Sequence, residues 1–163
     1  MTRDRFPKLP KSDKPFDFIL IDPKDFIPPF DRVTSVGVVP FMPDGRMVAT
    51  LLERGIDIPG GHVQENEHDI ETTARREAME EAGIEIGDIR IVGILQSDSY
   101  GSAPHELTYI MIVAAQVVKL HPFESIHEAL GRDVVTTEEF LSRYKAGKND
   151  TMRSIIESAS KAV

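Results

Sequence analysis

The sequence contains no cysteine, and it has no apolar stretch approaching the ~20 residues that a membrane-spanning helix needs. The absence of cysteine excludes a disulfide scaffold, a thiolate zinc site and thiol catalysis. Residues 1–14 are charged and contain proline, so they lack the apolar core of a signal peptide. We therefore expect a cytoplasmic protein with no membrane partner.

Basic residues are scarce relative to acidic ones. The chain has 19 Lys and Arg against 27 Asp and Glu, which gives a net charge of −8. Domains that bind duplex nucleic acid normally carry a basic patch, whereas the basic residues here are scattered, so duplex nucleic acid is not the expected partner. With 163 residues, of which 40% are hydrophobic, the chain can bury the core of one globular domain.

The pattern of apolar residues predicts a mixed α/β fold. Strands are predicted at residues 16–21, 34–41, 47–52, 56–58, 89–95 and 107–118. Helices are predicted at 69–82, from residue 137 onward and at 150–162, and the segment 124–130 is compatible with another helix. This order favours an α/β/α sandwich with a mixed β-sheet. Residues 1–30 are expected to form an arm with a possible edge strand, and residues 31–163 the domain.

The helix predicted over residues 69–82 has clear end signals. Asp69 is suited to cap its first turn, and Gly83 is suited to the left-handed conformation that often follows a last turn. Its apolar residues recur every four positions and form one stripe. The members of this stripe are Ile70, Ala74, Ala78 and Ala82.

The same helix carries a cluster of acidic residues. Glu77, Glu80 and Glu81 are spaced i, i+3 and i+4, so they share one face. Like charges at this spacing repel by a few tenths of a kcal/mol, and the negative end of the helix dipole adds a penalty of similar size. A divalent cation would remove both penalties, because hard cations prefer carboxylate oxygens. A solvated face is the alternative, and the helix alone leaves the two interpretations about even.

A glycine-rich turn precedes the helix. Pro59, Gly60 and Gly61 bring bare backbone close to this region. Their carbonyls can bind a metal ion, and their amides can meet phosphate. Because Mg²⁺ commonly binds through few carboxylates plus substrate phosphates, the combination favours a polyphosphate site.

Residues 60–84 resemble the Nudix box, G-x5-E-x7-R-E-U-x-E-E-x-G-U, in which U is a bulky apolar residue. The matching positions are Gly61, Glu67, Arg76, Glu77, Glu80, Glu81, Gly83 and Ile84. Two features depart from the box. Eight residues instead of seven separate Glu67 from Arg76, and Ala78 replaces the larger apolar residue. The extra residue fits in the loop before the helix, so the spacing on the helix is intact, but it bears on the position of Glu67.

The resemblance implies a Nudix-type α/β/α sandwich and the hydrolysis of a phosphoanhydride (pyrophosphate) bond. The implied substrate is a nucleoside diphosphate linked to another moiety, or a nucleoside triphosphate, and the implied cofactor is Mg²⁺, with Mn²⁺ as a substitute. Glu77, Glu80 and Glu81 are the implied metal ligands, and the carbonyl of Gly60 or Gly61 would complete the set.

The resemblance also implies that the catalytic residues are Glu77, Glu80, Glu81 and Arg76. Arg76 would orient Glu67 or Glu80 through an ion pair. The general base is taken in this family from the box or from a later loop. Glu106 and Glu124 are the later candidates, and ordinary solvated glutamates are the alternative.

Substrate contacts are expected outside the acidic face as well. Arg54, which precedes the glycine turn, is equally compatible with a phosphate contact and with a surface position. Gly60, Gly61 and His62 are expected to touch substrate. Asp98 and Ser99 stand where relatives specific for ADP-ribose often have a proline, and Tyr100 falls nearby, where relatives that act on dinucleoside polyphosphates often have a tyrosine. We expect Tyr100 to stack on a base, and a plain solvent loop over 96–106 is the alternative.

Two functional hypotheses follow. The first is a Nudix hydrolase, with nucleoside triphosphates, nucleotide sugars and dinucleoside polyphosphates all open as substrates. The second is a catalytically inactive Nudix-like module that binds a nucleotide and regulates a partner. Loss of box glutamates would indicate the second, and all three are present. A homodimer is compatible with either.

Overall fold

A mixed β-sheet runs through the computed structural model, which describes residues 18–98 and 106–163. Its strands are β1 (Ile19–Ile21), β2 (Val33–Phe41), β3 (Met47–Leu52), β4 (Gly55–Asp57), β5 (Gly60–His62), β6 (Ile84–Ile86), β7 (Arg90–Ser97), β8 (Thr108–Leu120) and β9 (Gly131–Val135). Its α-helices are α1 (Ile70–Ala82), α2 (Thr137–Arg143) and α3 (Asn149–Ala162). In these two stretches of chain, no helix has the length and apolarity to cross a membrane.

The centre of the sheet is the pair β2 and β8, which run parallel, whereas the other pairs are antiparallel. The main order is β1-β7-β8-β2-β3-β4, and β5, β6 and β9 pair with β2, β8 and β3 respectively. Every residue of β2 is buried. A strand that is buried on both faces has apolar residues at consecutive positions, which is why apolar and polar residues do not alternate along β2.

Helices cover both faces of the sheet, which confirms the predicted α/β/α sandwich. Side chains of β8 alternate between two buried clusters: Met111 and Val113 face α1, and Ile112 faces the opposite side. The opposite cluster contains the apolar residues of α2 and α3. These are Phe140, Leu141, Met152, Ile155, Ile156 and Ala159.

The helix α1 forms as its end signals predict. The Asp69 carboxylate accepts a hydrogen bond from the Thr72 N–H at 2.7 Å, and Gly83 adopts a left-handed φ of 64° while its N–H donates to the Met79 carbonyl at 2.9 Å. The three alanines of the apolar stripe are fully buried. Because alanine is small, α1 lies close against the sheet, and the carboxylates beside the stripe reach the strands.

Two parts of the sequence prediction differ from the structure. The segment 124–130, compatible with a helix, is irregular, so that expectation was wrong. Ser125 Oγ donates to the Ala129 carbonyl, and the Leu130 N–H donates to the Leu51 carbonyl, which commits the chain to pair with β3 instead of continuing a helix. The three-residue strands β5 and β6 and the whole of the five-residue strand β9 were missed, because such short segments carry little periodicity.

Part of the loop over residues 96–106, in which Tyr100 is expected to stack on a base, lies outside the described residues. Tyr100 belongs to the segment 99–105, and the predicted arm is described only from residue 18 onward. Within that part, β1 lies at one edge of the sheet and pairs with β7. The division into an arm and a domain therefore stays a prediction.

We expect Gly83→Ala to lower the free energy of unfolding by about 1 kcal/mol, because a side chain disfavours the left-handed conformation that ends α1. Gly131→Ala is the control: a Cβ there would make only an ordinary 3.5 Å contact with Leu51. Denaturant titrations of both variants would measure the difference. An equal loss in the two variants would contradict the capping role of Gly83.

Candidate active site

Arg76 lies at the centre of the acidic cluster and uses all five of its side-chain N–H donors. Its Nε and Nη2 grip the two oxygens of Glu67 at 2.8 and 2.9 Å. Its Nη1 donates to Glu77 at 2.8 Å and to Glu80 at 3.0 Å, and its Nη2 also reaches the His62 carbonyl at 2.8 Å. The ion pair expected with either Glu67 or Glu80 thus involves both, together with Glu77.

Glu67 is held in place by the loop before α1 as well. Its Oε1 accepts from the Gln64 N–H at 2.9 Å and from Thr73 Oγ1 at 3.1 Å. Burial opposes ionisation of this carboxyl, but the hydrogen bonds from Arg76, Gln64 and Thr73 outweigh it and lower the pKa of Glu67. The extra residue of the box is absorbed before α1 begins at Ile70, so it does not disturb the contact between Glu67 and Arg76.

The two glycines of the turn leave room that no other residue would leave. A Cβ on Gly60 would lie 2.7 Å from the Val36 carbonyl oxygen and 2.9 Å from the Gly37 Cα. A Cβ on Gly61 would lie 2.7 Å from the Cδ of Glu77. The Glu77 carboxylate is therefore cradled against bare backbone of β5, where it also meets Arg76.

Glu77 and Glu81 are buried carboxylates. Their residues are 5% and 8% exposed. Burial raises the pKa of Glu77 to about 7, with the charges of Glu80 and Glu81 adding to it and Arg76 opposing it. Burial also raises the pKa of Glu81, and the negative charge of Glu128 adds to that effect. These groups are thus costly to keep ionised without further positive charge.

A cation that the sequence reasoning missed offsets the negative end of α1. No basic residue lies in the last turn, but Arg132 of β9 donates from Nη1 to the carbonyls of Ala82 and Gly83, at 2.9 and 3.1 Å. Thr50 of β3 donates to the Glu81 carbonyl at 2.8 Å. Both contacts compensate orphan carbonyls of the helix end, and both come from residues distant in sequence, so helix periodicity could not reveal them.

The acidic residues do not form a closed cage. Within residues 18–98 and 106–163, no three acidic or histidine side chains stand close enough together to enclose a metal ion. Instead, one oxygen of Glu80 is bound by Arg76, and the other lies 3.8 Å from Nε2 of His127. The available ligand atoms nevertheless suit a hard cation, because they are carboxylate oxygens beside the backbone of Gly61. The absence of a side chain at Gly61 leaves the space that the Glu77 carboxylate occupies.

The remaining candidates lie in different places. Arg54 forms an ion pair with Glu128, a loop residue that no sequence pattern singled out. Glu106 forms an ion pair with Arg32, and Glu124 is exposed between β8 and β9. His62 contributes its carbonyl to Arg76. The suggested role of Tyr100 lies outside the described residues.

Comparison with known proteins decides the family. The model of the NUDIX domain matches residues 31–157. This chain belongs to the Nudix family. The match also confirms the enzyme class expected from the sequence, a Nudix hydrolase acting on phosphorus-containing anhydrides. A search of curated protein sequences found no significant match.

Solved Nudix structures share the fold at low sequence identity. A mutant of the Bacillus subtilis pyrophosphohydrolase BsRppH superposes with a TM-score of 0.69 at 20% identity, covering 89% of this chain and 92% of that one. The NUDIX domain of Shewanella oneidensis NrtR, in complex with ADP-ribose, gives 0.63 at 16% identity, covering 87% and 93%. A NUDIX hydrolase from Nitrosomonas europaea gives 0.61 at 17% identity, covering 80% and 90%.

We expect Arg76→Lys to lower the free energy of unfolding by at least about 2 kcal/mol, because the lysine ammonium has three donors and no planar fork. It cannot replace the five contacts of Arg76, and so it leaves oxygens of the buried carboxylates unpaired. Arg153→Lys is the matched control, since Arg153 pairs with Glu138 on the surface, where such pairs contribute little. Urea titration of both variants measures the difference. Similar stabilities would show that Arg76 contributes only its charge.

Proposed function

We propose that this Nudix protein hydrolyses a phosphoanhydride bond in a nucleoside-diphosphate-type substrate, with Mg²⁺ as cofactor. One observation carries the proposal: Arg76 binds Glu67, Glu77 and Glu80 together beside the bare backbone of Gly61. A helix face built only for solvation has no need of such a clamp, because exposed glutamates are stable in water. Hydrogen bonds from a neighbouring side chain such as Arg76 orient carboxylates that bind a metal ion.

Glu77, Glu80 and Glu81 would hold the metal ion, with the Gly61 carbonyl as a further ligand. When bound, Mg²⁺ polarises phosphate oxygens, offsets developing charge and lowers the pKa of a coordinated water. The chain's own contribution is to fix the carboxylates. Arg76 donates to Glu77 and Glu80, and the buried position of Glu77 holds its oxygens against β5. Mn²⁺ is a suitable substitute, since it also favours oxygen ligands.

The substrate would lie across the glycine turn. Gly60 and Gly61 present backbone without side chains, and Arg54 offers a guanidinium to phosphate oxygens. The NrtR domain was solved with ADP-ribose, and BsRppH is a pyrophosphohydrolase. ADP-ribose therefore heads the panel of substrates for this chain, and cleavage of a pyrophosphate bond is the reaction to assay. His62 and Tyr100 as further contacts, a cytoplasmic location and a homodimer stay predictions.

A glutamate is the proposed general base, because a carboxylate in reach of the attacking water can accept its proton. Glu106 and Glu124 stay predictions for this role. Glu106 would first have to leave Arg32, with which it is paired. Of the three carboxylates bound by Arg76, that of Glu80 is the most exposed. Glu80 is therefore the candidate from the box to compare with Glu106 and Glu124.

We expect Glu81→Gln to lower kcat by at least ~10²-fold, because it removes a ligand and a negative charge next to the reacting phosphate. Steady-state phosphate or nucleotide release on the best panel substrate measures the effect. Glu71→Gln is the control: Glu71 lies on the same helix but pairs with the exposed Arg75. Circular dichroism should show both variants folded. Near-wild-type turnover in Glu81→Gln would exclude the proposed role.

Mg²⁺ should raise the melting temperature, because it binds the folded cluster and has no preformed site in the unfolded chain. The shift should shrink in the Glu80→Gln, Glu81→Gln double variant and persist in Glu71→Gln. Scanning fluorimetry at constant ionic strength, with Na⁺ replacing Mg²⁺ in the reference, measures it. If the double variant keeps the wild-type shift, the metal binds elsewhere.

A substrate panel with Mg²⁺ at slightly alkaline pH separates the enzyme from the alternative of a nucleotide-binding regulatory module. The panel contains ADP-ribose, nucleoside triphosphates, nucleotide sugars and dinucleoside polyphosphates. Hydrolysis of any member that is lost in Glu81→Gln supports the enzyme. Binding by calorimetry with no hydrolysis of any member would support the module.

A further inference from the structure

Glu81 is the proposed metal ligand of α1 that Arg76 does not hold. All five N–H donors of Arg76 are used by other groups. These are the carboxylates of Glu67, Glu77 and Glu80 and the carbonyl of His62. Carboxylates that bind a metal ion are usually oriented by neighbouring hydrogen bonds. The position of Glu81 must therefore depend on other contacts, and these come from the sheet.

A buried threonine of β3 contacts Glu81 at two points. Thr50 Oγ1 donates to the Glu81 carbonyl at 2.8 Å and lies 3.5 Å from Oε2 of the same residue. Thr50 is 1% exposed, and it is the only polar residue of β3, whose sequence is MVATLL. A buried hydroxyl is costly unless it is hydrogen-bonded, and valine fits a strand at least as well. The stability of β3 alone therefore does not explain a threonine at this position.

Arg132 holds the same turn of α1 from the next strand. Thr50 and Arg132 are direct partners in the antiparallel pairing of β3 with β9, so their side chains lie on one face of the sheet. Nη1 of Arg132 donates to the carbonyls of Ala82 and Gly83 at 2.9 and 3.1 Å. The cross-strand pair thus binds the three consecutive carbonyls of residues 81–83.

We propose that Thr50 and Arg132 are positioning residues, which place the Glu81 carboxylate for metal binding by fixing the last turn of α1 to the sheet. The inference rests on the proposed function, because it takes Glu81 as a ligand of Mg²⁺. Arg76 then fixes the other carboxylates, and the cross-strand pair fixes the one that Arg76 does not reach. Without these contacts the last turn gains freedom that a bound cation must restrict again, which lowers the affinity for the cation.

The test is a titration with Mn²⁺ alone, in which electron paramagnetic resonance measures the free ion. Thr50→Val keeps the shape of the side chain and removes the hydroxyl. It should weaken Mn²⁺ binding about tenfold, the lower end of the effect of removing a hydrogen bond to a metal ligand. Arg132→Met should also weaken it, whereas Thr50→Ser keeps the hydroxyl and should bind Mn²⁺ as the wild type does. The Mg²⁺ concentration for half-maximal turnover should rise in the same two variants.

Thr108→Val is the matched control for Thr50→Val. Thr108 is also a buried strand residue, but its hydroxyl donates to a carbonyl of the sheet, that of Ser97 at 3.4 Å, instead of to α1. Arg143→Met is the control for the loss of a positive charge, because Arg143 is exposed and pairs with Asp133 of β9. Both controls should keep the wild-type affinity for Mn²⁺.

Equal losses of affinity in a variant and its matched control would overturn the inference, because they would reflect a general loosening of the fold or a general effect of charge. Wild-type affinity in Thr50→Val or in Arg132→Met would overturn it as well, and so would a loss in Thr50→Ser as large as that in Thr50→Val. Titration well below the melting temperature of each variant ensures that a loss does not come from unfolding.

These outcomes are separable from those of the proposed function. If the wild type binds Mn²⁺ and hydrolyses a panel substrate but Thr50→Val binds Mn²⁺ equally well, only this inference fails. If the wild type binds Mn²⁺ and hydrolyses nothing, the proposed function fails, and the titrations alone decide whether the cross-strand pair positions Glu81. If the wild type does not bind Mn²⁺, the inference fails, and the substrate panel decides the function.

Discussion

The site depends on one interaction, the binding of three carboxylates by the guanidinium of Arg76. Glu67 belongs to the loop before α1, Glu77 and Glu80 belong to the helix, and the His62 carbonyl belongs to β5. Because a guanidinium is planar and always charged, its fork fixes the relative positions of these three elements. The same contact lowers the pKa of Glu67 and opposes the effect of burial on Glu77. Geometry and electrostatics of the cluster therefore share one cause.

Small residues make that interaction possible. The alanines of α1 allow the helix to lie against the sheet, and Gly60 and Gly61 leave the space that the Glu77 carboxylate and neighbouring backbone fill. A bulky residue at Ala78, as the family pattern has it, would fill part of this interface. The fold accommodates alanine at this position, because Ala78 is fully buried in the apolar cluster between α1 and the sheet.

The sequence predicted the parts of the site that are local in the chain. The spacing of the helix glutamates, the Asp69 cap and Gly83 follow from helix geometry, and they are present in the structure. Arg132, His127 and Glu128 were missed, because each approaches α1 or Arg54 from a distant segment and none stands in a recognisable pattern. The helix considered for 124–130 failed for a related reason, since the pairing of β9 with β3 is a long-range contact that overrides local propensity.

Charge balance explains why such a cluster is tolerated. Arg76 supplies one positive charge against the three carboxylates that it contacts, and Glu81 adds a fourth that is buried. Burial of unpaired charge is costly, and the raised pKa of Glu77 and Glu81 expresses that cost. A chain selected for stability alone would replace one of these glutamates, because removing repulsion between like charges is favourable. Under the proposed function the negative charge left by Arg76 has a use: it provides affinity for a divalent cation, and the stability sacrificed in the free protein returns when the cation binds.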